Sequence, residues 1–265
     1  MKVAIAGAAG RMGRTLVEAV LRSNDLTLGA ALEAPGHPQL GKDAGEALGM
    51  PCGVKLTADV AAAAAAADCL VDFTTPPATL AHLAACVAAR RSAVIGTTGF
   101  AADDKARIAT AARAIPVAMA PNFAIGVNVT FKLAEVAARI LGDAYDVEIV
   151  EAHHRHKVDA PSGTALRLGE AVATALGRDL KAVAVHGREG ITGERGAKEI
   201  AFHAIRGGDI VGEHTVIFAG EGERVEVTVR SGNRMTYAQG ALRAARWLAS
   251  RPAGLYDMFD VLGLK

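Results

Sequence analysis

Three histidines, an arginine and a lysine occupy five consecutive positions in this chain: His153, His154, Arg155, His156 and Lys157. An imidazole can give up a proton near neutral pH. A lysine ammonium supplies a compact positive charge. Just downstream, Pro161 is followed by Ser162-Gly163-Thr164, the pattern of a helix start, where backbone N–H groups hold anions. A proton donor, a fixed charge and an anion-binding helix end in one segment suit an enzyme that acts on a small polyanion. A metal site fits the pattern less well. Strand neighbours point to opposite faces, so only His154 and His156 would share a side. Arg155 and Lys157 would repel a cation, and no metal is expected. A solvated surface patch is the remaining alternative.

A second reagent has a candidate at the other end of the chain. Gly7-Ala8-Ala9-Gly10-Arg11-Met12-Gly13 follows the first apolar run. Glycine lets the backbone turn sharply and approach a pyrophosphate, which the N-terminus of the next helix would hold. The spacing is GxxGxxG, not GxGxxG. Glu33 lies about 20 residues beyond, where a carboxylate can accept both ribose hydroxyls of NAD. Loop, position and acid together point to a dinucleotide; a glycine turn that merely tightens a strand–helix unit is the alternative. Two further loops, Phe73-Thr74-Thr75-Pro76-Pro77 and Gly96-Thr97-Thr98-Gly99-Phe100, fall at the ends of expected strands. An open parallel sheet binds its ligands there, although each loop can equally be a helix cap.

The elements that must position these groups are legible in outline. Apolar runs at 3–6, 26–32, 70–73, 93–95 and 117–119 read as buried strands, with helices from the glycine turn to about Arg22, near 78–89 and at 101–114. Seven consecutive alanines, 61–67, fall in a close-packed helix over 59–67 with Thr57 or Asp59 as its cap. Strands alternating with helices predict a parallel sheet covered on both faces. The pattern then changes. A helix at 127–141, a strand at 146–152 and a helix at 164–176 lead to strand-like runs at 182–186, 199–205, 214–219 and 224–229. These predict a largely antiparallel or mixed sheet. A final alanine-rich helix, 236–249, returns to the first style. The expected fold class is α/β, with an inserted α+β domain at 125–234 between 1–124 and 235–265. Hinges would lie near 122–126 and 231–234, where closure would bring cofactor and substrate together.

Composition bounds the partners. At 265 residues and 51% hydrophobic, the chain can build a full core, and its net charge of +1 argues against nucleic acid or a membrane surface. Cys52, Cys69 and Cys86 lack CxxC spacing and read as idle thiols in a reducing compartment. The N-terminal apolar run is short for a signal peptide, and no apolar stretch approaches the roughly 18 residues of a membrane span. A cytoplasmic location is expected.

With these residues in hand, the chain resembles the 4-hydroxy-tetrahydrodipicolinate reductase (dihydrodipicolinate reductase) family of the diaminopimelate–lysine pathway, nearly end to end. The resemblance is carried by Val3-Ala4-Ile5-Ala6-Gly7 with Gly10-Arg11-Met12-Gly13, by Val71-Asp72-Phe73-Thr74, and by Val94-Ile95-Gly96-Thr97-Thr98-Gly99-Phe100. It continues in Asn122-Phe123 with Gly126-Val127-Asn128, and in Glu151-Ala152-His153-His154-Arg155-His156-Lys157 followed by Asp159-Ala160-Pro161-Ser162-Gly163-Thr164-Ala165. It implies a Rossmann-like dinucleotide-binding domain and a substrate-binding and oligomerisation domain whose sheets assemble a homotetramer. It implies cofactor contacts from Gly7, Ala8, Ala9, Gly10, Arg11, Met12, Glu33, Gly96, Thr97, Thr98, Ala120, Pro121, Asn122 and Phe123. His153 would donate the proton, while Lys157, His154, Ser162, Gly163 and Thr164 would hold the carboxylates of a small dicarboxylate substrate.

The reaction implied is NAD(P)H-dependent reduction of a cyclic imine dicarboxylate, coupled to loss of water from its hydroxylated precursor. Both NADH and NADPH are candidate cofactors. Some family members carry an arginine just after the acid, placed for the NADP 2′-phosphate; here that position is Ala34. NADH is therefore expected to serve at least as well. Another nicotinamide-linked imine or carbonyl reductase, or a non-enzymatic NAD-sensing module, are the competing readings.

Overall fold

Larger and smaller apolar residues alternate along the first strand, and the alternation decides which helices it carries. A computed structural model describes residues Met1–Lys265. In β1 (Lys2–Ala6), Val3 and Ile5 enter one buried cluster while Ala4 and Ala6 enter another. This is the period of two expected of a strand covered on both faces. After β1 come α1 (Arg11–Leu21), β2 (Thr27–Leu32), β3 (Leu56–Thr57), α2 (Val60–Ala65) and β4 (Cys69–Asp72). Then follow α3 (Pro76–Ala89), β5 (Ser92–Ile95), α4 (Ala102–Ala111) and β6 (Pro116–Met119). The next stretch holds α5 (Ile125–Leu141), β7 (Asp146–His153), α6 (Gly163–Ala175), α7 (Leu180–Val183), β8 (Ala184–His186), β9 (Ile200–Arg206), β10 (Gly212–Ala219) and β11 (Arg224–Ser231). The chain closes with α8 (Met235–Leu248), β12 (Gly254–Tyr256) and α9 (Met258–Leu262).

Two compact units result: Met1–Ile125 with Arg234–Lys265, and Gly126–Asn233. The first holds a seven-stranded, all-parallel sheet in the order β12-β6-β5-β4-β1-β2-β3. Val3, Ile5, Val71 and Val94 face Leu16 and Val17 of α1 and Ala241, Ala245 and Leu248 of α8. On the opposite face, Leu70, Ala93, Ile95 and Val117 meet Ala63 and Ala64 of α2, Leu83 and Cys86 of α3, and Ile108 of α4. This doubly wound sheet is a Rossmann fold, and its order reverses between β1 and β4. Ligands bind outside the strand ends at such a reversal.

The second unit is a five-stranded mixed sheet in the order β11-β10-β7-β9-β8. Strand β10 runs antiparallel to β7 and β11, while β9 runs parallel to β7 and β8. Helix α6 packs on it through Ala165, Leu168 and Val172. No helix in the chain is long and apolar enough to cross a membrane.

Three local readings of the sequence change. The alanine run leaves the helix at Ala66, because Ala67 turns into the core ahead of β4; Asp59 is the cap, accepting from Ala62 N–H at 2.9 Å. Residues 182–183 belong to the short α7, started by Asp179, and not to a strand. Strand β7 ends at His153, so His154 and His156 sit in a turn and strand alternation does not govern them.

Candidate active site

Strand pairing concentrates charge at the end of β7. Glu151 and His153 are two residues apart and share a face. Register places His214 of β10 beside Glu151, and Arg206 of β9 beside His153. Glu151 is buried, yet both its oxygens are satisfied. Oε2 accepts from His153 Nδ1 at 2.6 Å and from Arg206 at 2.7 Å; Oε1 accepts from Arg206 at 2.7 Å and from Ser162 N–H at 3.1 Å. Burial raises this carboxyl, but the bonds from Arg206 and His153 outweigh it and hold Glu151 below the usual carboxylate range.

That bond settles the tautomer of His153. With Nδ1–H donated to Glu151, Nε2 is the atom left to exchange a proton. Gly212 keeps the space beside it clear: a Cβ there would lie 3.1 Å from Nε2. Burial pushes His153 below its ordinary value, Glu151 opposes the shift, and Lys157 and Arg206 add to it.

Ser162 caps α6, its hydroxyl accepting from Ala165 N–H at 3.1 Å. The same hydroxyl lies 2.9 Å from His214 Nε2. With its N–H on Glu151 and its hydroxyl on His214, Ser162 belongs to the frame of the site. Gly163 is exposed beside it, and Thr164 is partly exposed. Lys157 is largely buried and pairs with exposed Asp159 at 2.7 Å. This bond pulls Asp159 below its ordinary value. His154 is partly exposed, its Nδ1 buried without a hydrogen-bond partner.

Burial, reinforced by the charge of His153, takes His214 down to about 4. Since 4 lies below the unfolded value near 6.5, the unfolded chain binds more protons between the two. The stabilisation is complete above about pH 6.5 and is lost as pH falls towards 4. At pH 5 the loss is roughly 2 kcal/mol. Urea midpoints at pH 7 and pH 5 should therefore differ more for the wild type than for His214→Gln. Equal differences would rule out His214 as the source.

In the first unit, the glycine loop has the geometry a dinucleotide needs. Gly7 has φ of +63°, and a Cβ on Gly13 would lie 1.9 Å from the Gly7 carbonyl oxygen. Only glycine permits the helix to start so close to β1. Cap residue Gly10 makes no side-chain cap bond and the first turn of α1 holds no acid, so its N–H groups suit an anion. Glu33 accepts from Ala9 N–H at 2.8 Å and Ala34 N–H at 3.0 Å, which anchors it beside the loop. A cavity of about 410 Å³ adjoins the loop, lined in part by Ala8, Ala9, Arg14, Gln39 and Lys42. The Gly96–Thr98 segment follows β5, with Thr97 buried and Thr98 exposed. Ala120 and Phe123 are buried beyond β6, Pro121 is exposed, and Asn122 bonds Ala124 N–H at 2.9 Å. Arg11 and Met12 open α1, Arg11 exposed.

Models of dihydrodipicolinate reductase match both parts of the chain, the N-terminal one over residues 1–123 and the C-terminal one over 126–262. The chain belongs to the dihydrodipicolinate reductase family. The 4-hydroxy-tetrahydrodipicolinate reductase of Aromatoleum aromaticum is 61% identical over 265 residues, covering 100% of this chain and 96% of that protein. That of Dechloromonas aromatica is 62% identical over 264 residues, covering 100% and 98%. Among solved structures, the dipicolinate-bound dihydrodipicolinate reductase from Paenisporosarcina sp. TG-14 superposes with a TM-score of 0.78 at 28% identity, covering 98% of each chain. As a member of this reductase family the chain is an oxidoreductase, and its Rossmann unit is of the kind that takes NAD(P)H.

Sequence reasoning missed Glu151, Arg206 and His214, which the structure joins to His153 and Ser162 in the candidate site. Glu151 had a signal, since it precedes His153 by two positions in a strand. Arg206 and His214 had none, because strand register brings them in. Asp72 stood inside the Val71–Thr74 motif without a role, while Thr79 and His82 of α3 and the cations Arg14 and Lys42 beside the loop carry no local sequence signal, because tertiary packing brings them there.

Proposed function

We propose that this chain reduces 4-hydroxy-tetrahydrodipicolinate, by way of dihydrodipicolinate, to tetrahydrodipicolinate in the diaminopimelate route of lysine biosynthesis. The observation that carries the reading is the buried Glu151–His153 pair with Nε2 left clear and Lys157 close enough to act on it. The first unit is assigned to the cofactor and the second to the substrate. A homotetramer is the assembly that goes with the family resemblance.

Bound NAD(P)H would supply a hydride to the conjugated ring. Gly7, Ala8, Ala9, Gly10, Arg11, Met12 and Glu33 would hold its adenosine and pyrophosphate, and Gly96–Thr98 with Ala120–Phe123 its other half. Reduction leaves the ring needing a proton, which His153 Nε2 gives. Burial alone favours neutral imidazole at His153. A dicarboxylate brings negative charge that favours imidazolium, so substrate binding loads the donor. Lys157 offsets the substrate's charge and the electron density that builds on the ring. Arg206 keeps Glu151 ionised and Ser162 fixes the start of α6, so Gly163 and Thr164 N–H groups and His154 can meet the carboxylates.

The deciding experiment is turnover of enzymatically generated 4-hydroxy-tetrahydrodipicolinate with NADH and NADPH side by side. NADH is expected to give a kcat/KM at least equal to that of NADPH. Glu33 can bond free ribose hydroxyls but repels a 2′-phosphate, and Ala34 offers no guanidinium. Charge-assisted contacts are worth about 1.5–3 kcal/mol each, so a clear preference for NADPH would mean that Arg11, Arg14 or Lys42 reaches the phosphate. No turnover with either cofactor would sink the assignment.

Lys157→Ala should raise KM and lower kcat together, because alanine replaces none of the charge. Pyridine-2,6-dicarboxylate should compete with substrate in the wild type. Absence of competition at millimolar levels would refute the anion site.

A further inference from the structure

We propose that Asp72 is a positioning residue for the nicotinamide half of the cofactor, tying the loop after β4 to the loop after β5 with His82 as its lock. The inference rests on the cofactor reading above and adds a residue that touches neither cofactor nor substrate.

Asp72 ends β4, at the reversal of the sheet, and is 1% exposed. Its strand neighbours Leu70 and Val71 are core residues. A carboxylate buried there costs stability unless every lone pair is used, and an apolar residue would hold the strand equally well. The carboxylate is instead wired to three elements. Oδ1 accepts from Thr74 N–H at 2.8 Å and from the Thr74 hydroxyl at 2.6 Å, both in the loop after β4. It also receives the Thr97 hydroxyl, in the loop after β5, at 3.4 Å. Oδ2 lies 2.7 Å from His82 Nδ1 on α3. One turn earlier on that helix, Thr79 donates to the Thr97 hydroxyl at 2.8 Å. The Asp72 carbonyl accepts from Gly96 N–H at 2.8 Å.

The consequences reach the ligand face. Thr97 is turned inward by these bonds while Thr98 is exposed, which fixes how the Gly96–Thr98 backbone is presented. Thr74 is pressed against the glycine loop: a Cβ on Gly7 would lie 2.8 Å from its methyl group. Strands β4 and β5 belong to the second mononucleotide half of the sheet, the half that takes nicotinamide when adenosine lies by Glu33. Asp72 therefore sets the spacing of the loops on that half and reaches the glycine loop through the Thr74 methyl group, which neither Asp72→Asn nor Thr74→Val removes.

Two ligands separate this role from a purely structural one. ADP keeps adenosine and pyrophosphate but has neither the second ribose nor nicotinamide. By calorimetry, Asp72→Asn should weaken NADH by about tenfold or more and leave ADP within about twofold. In steady state, KM for NADH should rise and kcat should fall, as expected of misplacement near the chemistry. Thr74→Val removes one partner of Asp72 at constant shape and should move NADH in the same direction, while Thr74→Ser keeps the hydroxyl and should restore it. Should Asp72→Asn fail to fold, the Thr74 pair decides alone. Unchanged NADH affinity in Asp72→Asn or Thr74→Val overturns the proposal, as does equal loss of NADH and ADP. A wild type that binds neither ligand overturns the cofactor reading itself.

Discussion

Replacing His153 by glutamine is expected to lower kcat by about 10²–10⁴-fold, with KM changed only modestly. Glutamine keeps a polar side chain of similar reach but cannot release a proton. The effect should fall on the chemical step because His153 is held from behind by Glu151 and faces the cleared space beside Gly212. The pH profile gives a second reading of the same group. In the free enzyme burial holds His153 below its ordinary value, so kcat/KM should decline as pH rises through a point below about 6.5. The limb in kcat should lie higher, because bound dicarboxylate favours the charged ring. Both limbs should be missing from the residual activity of His153→Gln. Wild-type kcat in the variant, or an unaltered pH profile, would remove His153 from the role of donor.

The sequence made the first unit nearly transparent. Strands buried on both faces leave continuous apolar runs such as 3–6 and 93–95, and the glycine loop announces a turn that only glycine can make. It stayed silent on β3 and β12, two and three residues long, because periodicity needs more positions to show itself. The cationic run 153–157 marked the second site, yet the run holds only half of its chemistry. The acid that orients His153 was visible two positions upstream. Arg206, which keeps that acid ionised, lies 55 residues away in sequence, and His214 arrives on another strand. Pairing register is set by the packing of the whole sheet, so no local pattern points to either. Strand alternation, used to weigh a metal at His154 and His156, does not apply to them, because β7 ends at His153.

Glu151→Gln is the substitution that tests this hidden half. Glutamine preserves volume, but it removes the charge that faces Arg206 and His153 and brings a donor amide into a pocket already filled with donors. Breaking a buried pair costs 3–5 kcal/mol when both partners are inaccessible; Arg206 is partly exposed, so a loss of roughly 2–4 kcal/mol in urea is expected. The effect on activity has a different signature. With a neutral amide in place of the acceptor-only carboxylate at Nδ1, the imidazole loses its fixed tautomer and the charge that raises its proton affinity, so kcat should fall by about 10²–10⁴-fold. The falling limb of kcat/KM should also move to lower pH. If Glu151 acts through His153, the double variant Glu151→Gln with His153→Gln should be scarcely slower than His153→Gln alone, because groups that work as a unit do not add. Multiplicative losses in the double variant would show two independent roles. An active Glu151→Gln with the wild-type pH profile would leave Glu151 as a structural anchor for Arg206 and the Ser162 turn, and the orientation of His153 would have to come from His214 and the packing around it.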